Sequence, residues 1–133
     1  MPIALSELGV KEVLGNGNNP RIVEYLLSTD LRRADASMDS TAWCSGFVNW
    51  CVEKAGFAGS NSAWARSWLN WGRSLSRPRR GCVAVFSRKG GGHVAFYIGK
   101  SAGQYVVLGG NQADQVCVAG YPEARLLGFR VPA

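Results

Sequence analysis

Histidine is almost missing: His93 is the single one in 133 residues. A metal site built on several imidazoles is therefore excluded, and an imidazole base has one candidate position. No apolar run reaches the roughly 18 residues of a membrane span, so membrane insertion is not expected. The opening Met1-Pro2-Ile3-Ala4 lacks the basic stretch and apolar segment of a secretory signal, which points to synthesis in the cytoplasm. No internal repeat is present. Cys44, Cys51, Cys82 and Cys117 include no Cys-x-x-Cys pair, which argues against zinc. Without an export signal, free thiols are expected rather than disulfides.

Acid is also missing from the middle of the chain. Residues 1–53 carry four bases and seven acids, residues 54–113 nine bases and no acid, and residues 114–133 balance. The net charge of +6 is thus a +9 centre behind a −3 opening. Such a stretch is either a solvated surface or a face for a polyanion, with anionic wall polymer and nucleic acid as candidates. What is present suffices for one domain spanning residues 1–133: hydrophobic residues are 47% of the chain and five tryptophans accompany 17 glycines, so the glycines mark turns rather than disorder.

The first part, about residues 1–75, reads as helical. Residues 2–14 and 20–28 form two short helices with Pro2 and Pro20 in first turns, separated by the turn cluster Gly15–Asn19. The strongest helix covers about 42–55. Cys44, Phe47, Val48, Cys51 and Val52 make one apolar stripe, Ser40 or Thr41 supplies a cap, and Gly56 ends it. Residues 62–71 read as a further helix with Trp64, Trp68 and Trp71 on one face, either packing or walling a groove. After Arg77-Pro78-Arg79-Arg80 the period shortens. Residues 82–86, 93–99, 105–108, 115–118 and 126–130 read as about five antiparallel strands within 81–131. Helices first and strands second give an α+β layout.

Cys44 falls in the first turn of the strongest helix. Unpaired N–H groups there favour a thiolate and can bind an oxyanion, and Gly46 leaves room for a substrate backbone. The other reading is a buried structural cysteine. His93 opens a strand after Gly90-Gly91-Gly92. It is either the base a thiol nucleophile needs or a surface or capping residue. Asn111 follows the next strand in Gly109-Gly110-Asn111-Gln112, as an amide that holds the imidazole or as a turn residue. Cys51, Cys82 and Cys117 read as core. Trp43 is a candidate groove wall, Asp39 and Ser45 are candidate substrate contacts, and Arg77, Arg79 and Arg80 read as a solvated loop.

Taken in order, Trp43-Cys44-Ser45-Gly46-Phe47-Val48-Asn49-Trp50, Gly92-His93-Val94-Ala95-Phe96-Tyr97-Ile98-Gly99 and Gly109-Gly110-Asn111-Gln112 resemble the papain-like cell-wall hydrolases. That superfamily includes the NlpC-type peptidases and CHAP amidases, and the opening segment looks like short phage-encoded or secretion-delivered members. NlpC-type members usually carry Asp where Trp43 stands, and CHAP members often carry Glu where Gly109 stands. The resemblance implies a nucleophile-bearing helix packed on a compact antiparallel sheet. It implies a cysteine endopeptidase or amidase that cleaves stem-peptide or cross-link amides of peptidoglycan by thiol acyl transfer. Cys44 would be the nucleophile, His93 the base, Asn111 its orienting residue, and the Cys44 and Ser45 amides the oxyanion donors, with no metal or cofactor. A phage lysin freed through a holin, or an injected antibacterial effector with an immunity protein as partner, fits such a monomer acting in periplasm or wall. A binding module without catalysis, for anionic wall polymer or nucleic acid, is the rival reading.

Overall fold

The computed structural model describes residues 2–12, 19–29, 43–88 and 91–133. Among the described residues, three α-helices precede the sheet: α1 (Pro2–Ser6), α2 (Pro20–Leu27) and α3 (Cys44–Lys54). A 3₁₀ helix follows at Ala65–Asn70. The strands are β1 (Arg73–Leu75), β2 (Val83–Arg88), β3 (Gly91–Ser101), β4 (Gln104–Gln112), β5 (Gln115–Pro122) and β6 (Leu126–Val131). They form one antiparallel sheet in the order β1-β6-β2-β3-β4-β5. The architecture is the expected α+β one, with six strands instead of about five.

Helix α3 is buried over its first nine residues, Cys44–Val52. It lies between α2 and the β3–β4 part of the sheet. No side chain caps its start, and the N-cap position is Trp43; Ser40 and Thr41 lie outside the described residues. Helix α2 begins at Pro20 with the Asn19 side chain accepting from the Arg21 amide at 2.9 Å. It buries Ile22, Tyr25 and Leu26, spaced for a single face. Gly46 is the contact point of the two helices: a Cβ there would sit 3.1 Å from the Tyr25 carbonyl. It therefore serves helix packing, not the approach of a substrate backbone.

Alternation along the strands divides the apolar residues into two clusters. Val83, Val85, Val94, Phe96 and Leu108 join the helices. Ala84, Phe86, Ala95, Val107 and Phe129 pack with Tyr97, Tyr105 and Tyr121 on the opposite face.

Several local expectations change. Helix α1 stops at Ser6, and Lys11 instead bridges to Gln115. The tryptophan segment is a six-residue 3₁₀ helix with Trp64 and Trp71 at its caps; Trp68 and Trp71 pack edge to face, centroids 4.8 Å apart, but Trp64 does not join them, being 63% exposed while Trp68 is fully buried. Strand β1 lies inside the stretch read as helical and pairs with β6. All four cysteines are free; Cys51 and Cys82 are buried, whereas Cys117 is only half-buried. Among the described residues, no helix is long and apolar enough to cross a membrane.

Candidate active site

The sulfur of Cys44 sits at the first residue of α3, 5% exposed. Burial pushes its thiol pKa up, because a thiolate is poorly solvated there. The backbone N–H groups of Val94, Ser45 and Cys44 itself oppose that effect, as does the charge of Arg88. The Val94 amide is the one that follows His93. The start of α3 and the histidine strand β3 therefore meet at the sulfur, 49 residues apart in sequence.

His93 is fully buried. Its Nε2 lies 2.8 Å from Oε1 of Gln112, whose Nε2 donates to the Cys117 carbonyl at 2.7 Å. A carbonyl only accepts, so the Gln112 amide is fixed with its nitrogen toward Cys117 and its oxygen toward His93. That oxygen also only accepts, so the neutral imidazole carries its proton on Nε2. Nδ1 is left with its lone pair free, buried and without a hydrogen-bond partner among the described residues. Burial lowers the His93 pKa to about 4; the Gln112 bond opposes this and the Arg88 charge adds to it. Tyr121 stacks on the imidazole, centroids 4.8 Å apart and planes 24° apart, and on Phe86 at 5.1 Å. Arg88 donates to the Tyr121 hydroxyl at 3.2 Å. The site thus holds a thiol at the start of α3, in contact with the amide that follows His93, and a neutral imidazole held in one tautomer; thiol and imidazole are the groups that thiol acyl transfer uses.

Gln112, not Asn111, is the residue on the imidazole. The β4–β5 register breaks between Gly109 and Gln112, and Asn111 adopts φ +57°. A bulge adds a residue and shifts which side chain faces a given side, and this one brings Gln112 to His93. Trp43 is fully buried and stacked on Tyr25 at 5.9 Å, so it packs the core and does not line a groove. Ser45 is buried, its Oγ donating to the Ser62 carbonyl at 2.6 Å and accepting from Trp68 Nε1 at 2.8 Å. Its hydroxyl is committed to the fold, and its amide remains at the sulfur. Asp39 lies outside the described residues. Sequence reasoning missed Gln112, Tyr121 and Arg88. For Gln112 the signal was its position next to Asn111, since two adjacent amides after one strand are equal candidates until the register is known.

A family model described as the CHAP domain matches residues 36–111. The chain belongs to the CHAP family. The matched span carries Cys44 and His93 and ends one residue before Gln112. No curated protein matches this CHAP chain. Among solved structures it is similar to RipA, a resuscitation promoting factor interacting protein, at 25% identity and TM-score 0.60, covering 98% of this chain and 58% of that one. It is similar to an NLP/P60-family lipoprotein-like protein of Staphylococcus aureus at 21% identity and TM-score 0.57, covering 100% and 40%. It is also similar to RipD of Mycobacterium tuberculosis, described as a non-catalytic NlpC/p60 domain protein adapted to peptidoglycan binding, at 20% identity and TM-score 0.56, covering 96% and 89%. The chain thus spans little more than half of RipA and less than half of the staphylococcal protein. The CHAP match and these folds place the chain in the papain-like superfamily of cell-wall hydrolases.

Proposed function

We propose that this CHAP domain is a cysteine peptidase or amidase that hydrolyses amide bonds of peptidoglycan stem peptides or cross-links. The observation that carries the reading is the tautomer of His93: Gln112 holds Nε2–H, and the bare Nδ1 belongs to the residue whose following amide touches the Cys44 sulfur. Nδ1 takes the thiol proton as sulfur bonds to the amide carbonyl carbon, and the carbonyl electron pair moves onto oxygen. Backbone N–H groups of Cys44 and Ser45 stabilise that oxyanion. Collapse breaks the C–N bond, and the imidazolium returns its proton to the departing amine. Water then attacks the thioester, giving one proton to Nδ1 and then to sulfur, and a carboxylic acid leaves. Gln112 positions the ring throughout and exchanges no proton.

RipD sets the rival reading, a wall-binding module without catalysis, and the acid-free stretch of this chain is in keeping with an anionic polymer as partner. Digestion of purified sacculi followed by mass spectrometry of the muropeptides separates the two. The hydrolase reading expects new amine and carboxylate termini with the wild-type protein and none with Cys44→Ala. Identical fragments from both proteins, or no fragments from either, would defeat it.

A further inference from the structure

The end of α3 farthest from Cys44 opens onto an apolar hollow that the proposed chemistry does not use. Its volume is about 170 Å³, the size that admits one benzene ring. Cys51 and Val52 of α3, Cys82 and Val83 where β2 begins, and Phe96 of β3 line it. Ala55, also in the lining, comes eleven residues after Cys44, about 16 Å along the helix axis. A second hollow of about 250 Å³ adjoins the first, and Phe57, Trp71 and Pro132 belong to both. The backbone sets these walls. The chain turns at Gly56, φ +93°, and the Phe57 amide donates to the Val52 carbonyl at 3.1 Å. That turn leaves Phe57 51% exposed. The Trp71 indole donates to the Ala58 carbonyl at 2.8 Å. Two aromatic side chains therefore stand at the rim of a preformed hollow.

The charged side chains at this rim are of one sign. No acidic side chain lines either hollow. Arg130 lines the first and stands opposite Val83 across the β2–β6 ladder. It is half-buried and has no hydrogen-bond or ion-pair partner among the described residues. The Arg79 carbonyl accepts from the Cys82 amide at 2.9 Å, and the Arg79 charge acts on the Cys82 thiol. Arg80 precedes Gly81, a further lining residue. The exposed arginines read from the sequence as a solvated loop thus border the hollow. Trp, Phe and Arg are the residues that anchor protein–protein contacts, with an apolar centre inside a polar rim, and a rim of positive charge selects an acidic partner. We propose that this face docks a segment of another protein, which inserts one aromatic side chain into the hollow and sets carboxylates against Arg130 and Arg79. The inference goes beyond the hydrolase reading and does not depend on it.

Calorimetry on the full chain tests this with a synthetic peptide, acetyl-Asp-Asp-Phe-Asp-Asp-amide, as probe. Two control peptides replace its Phe by Ala, or every Asp by Asn. Each control is expected to bind about tenfold more weakly, through loss of the buried ring or of a charge-assisted contact. Arg130→Gln should weaken the probe by a similar factor and leave the Asn peptide unchanged. Ala55→Trp, at an exposed position, fills the hollow and should remove the preference for Phe over Ala. Arg125→Gln takes a charge from just before β6, at the opposite end of that strand from Arg130, and should change nothing. No binding of the probe, equal binding of the Phe and Ala peptides, equal binding of the Asp and Asn peptides, or equal losses in Arg130→Gln and Arg125→Gln would each overturn the proposal. Light scattering reads the remaining occupant. A monomer is expected, whereas a dimer that Ala55→Trp dissolves would give the face to a second copy of this chain and overturn the foreign partner.

Discussion

His93 is fully buried and, among the described residues, makes one imidazole hydrogen bond, and these two facts set its acid–base behaviour. Burial holds its pKa near 4, below the ordinary 6.5. The unfolded chain therefore takes up the proton first as pH falls. The stabilisation due to the neutral ring is fully present above pH 6.5 and is lost as pH drops toward 4. Its size is at most roughly 3 kcal/mol. Urea denaturation across that window should show stability falling with acid, and His93→Gln should flatten the dependence. An unchanged slope in that variant would place the titration elsewhere. Gln112 and Asn111 give a sharper contrast. Gln112→Ala strands the buried Nε2–H, at a cost of about 1–3 kcal/mol. It also frees the ring to turn, so kcat should fall roughly tenfold to a hundredfold. Asn111→Gly keeps the left-handed backbone and should change kcat by less than about threefold. The reverse ranking would return the orienting role to Asn111. Cysteine, histidine and an amide after the next strand were readable from residue type and order. Which of two adjacent amides meets the ring was not, because a bulge resets the alternation on which such reading depends.

Two glycines, Gly46 between α2 and α3 and Gly110 between α3 and β4, decide whether the elements can come together. Gly110 lies under α3: a Cβ there would stand 2.7 Å from Cβ of Phe47 and closer still to the Trp43 ring. Gly110→Ala should therefore cost about 1–3 kcal/mol through overpacking. Because it displaces the Asn111-Gln112 segment, it should also lower kcat. Thermal melting and steady-state rates measured together check both. A stable, fully active variant would mean that α3 and β4 have slack which their contact distances deny. Helix α3 was legible because its stripe of Phe47, Val48, Cys51 and Val52 repeats with helical period. Strand β1 was not. Three residues, Arg73-Ser74-Leu75, carry no period of their own, and they become a strand only through β6, more than fifty residues later. The tryptophan segment departed for a related reason: a 3₁₀ helix turns faster than an α-helix, so the four-residue spacing of Trp64 and Trp68 did not keep them on one face, while the three-residue spacing of Trp68 and Trp71 did.

For the whole molecule, charge and shape separate. The net +6 is concentrated in a stretch that includes the residues around the site. An anionic polymer surface should therefore attract the protein more than a small fragment does. Apparent KM on sacculi should rise between about 0.05 M and 0.5 M salt as the Debye length shrinks, while KM on a short soluble stem peptide rises much less. Equal salt dependence on both substrates would confine the effect to the cleft and remove the basic stretch as a polymer contact.

Composition and order alone determined the α+β layout, the free thiols and the single imidazole, because helical period, strand alternation and residue scarcity are local properties. Tertiary structure decided the rest. It buried Trp43, tied up Ser45, turned Gly46 toward Tyr25, put Gln112 rather than Asn111 on the His93 imidazole and set Arg88 against Tyr121 beside the histidine. Each of these depends on strand register and on what packs from a distant part of the chain, and a one-residue shift in register exchanges the side chain that points into the site for the one that points away.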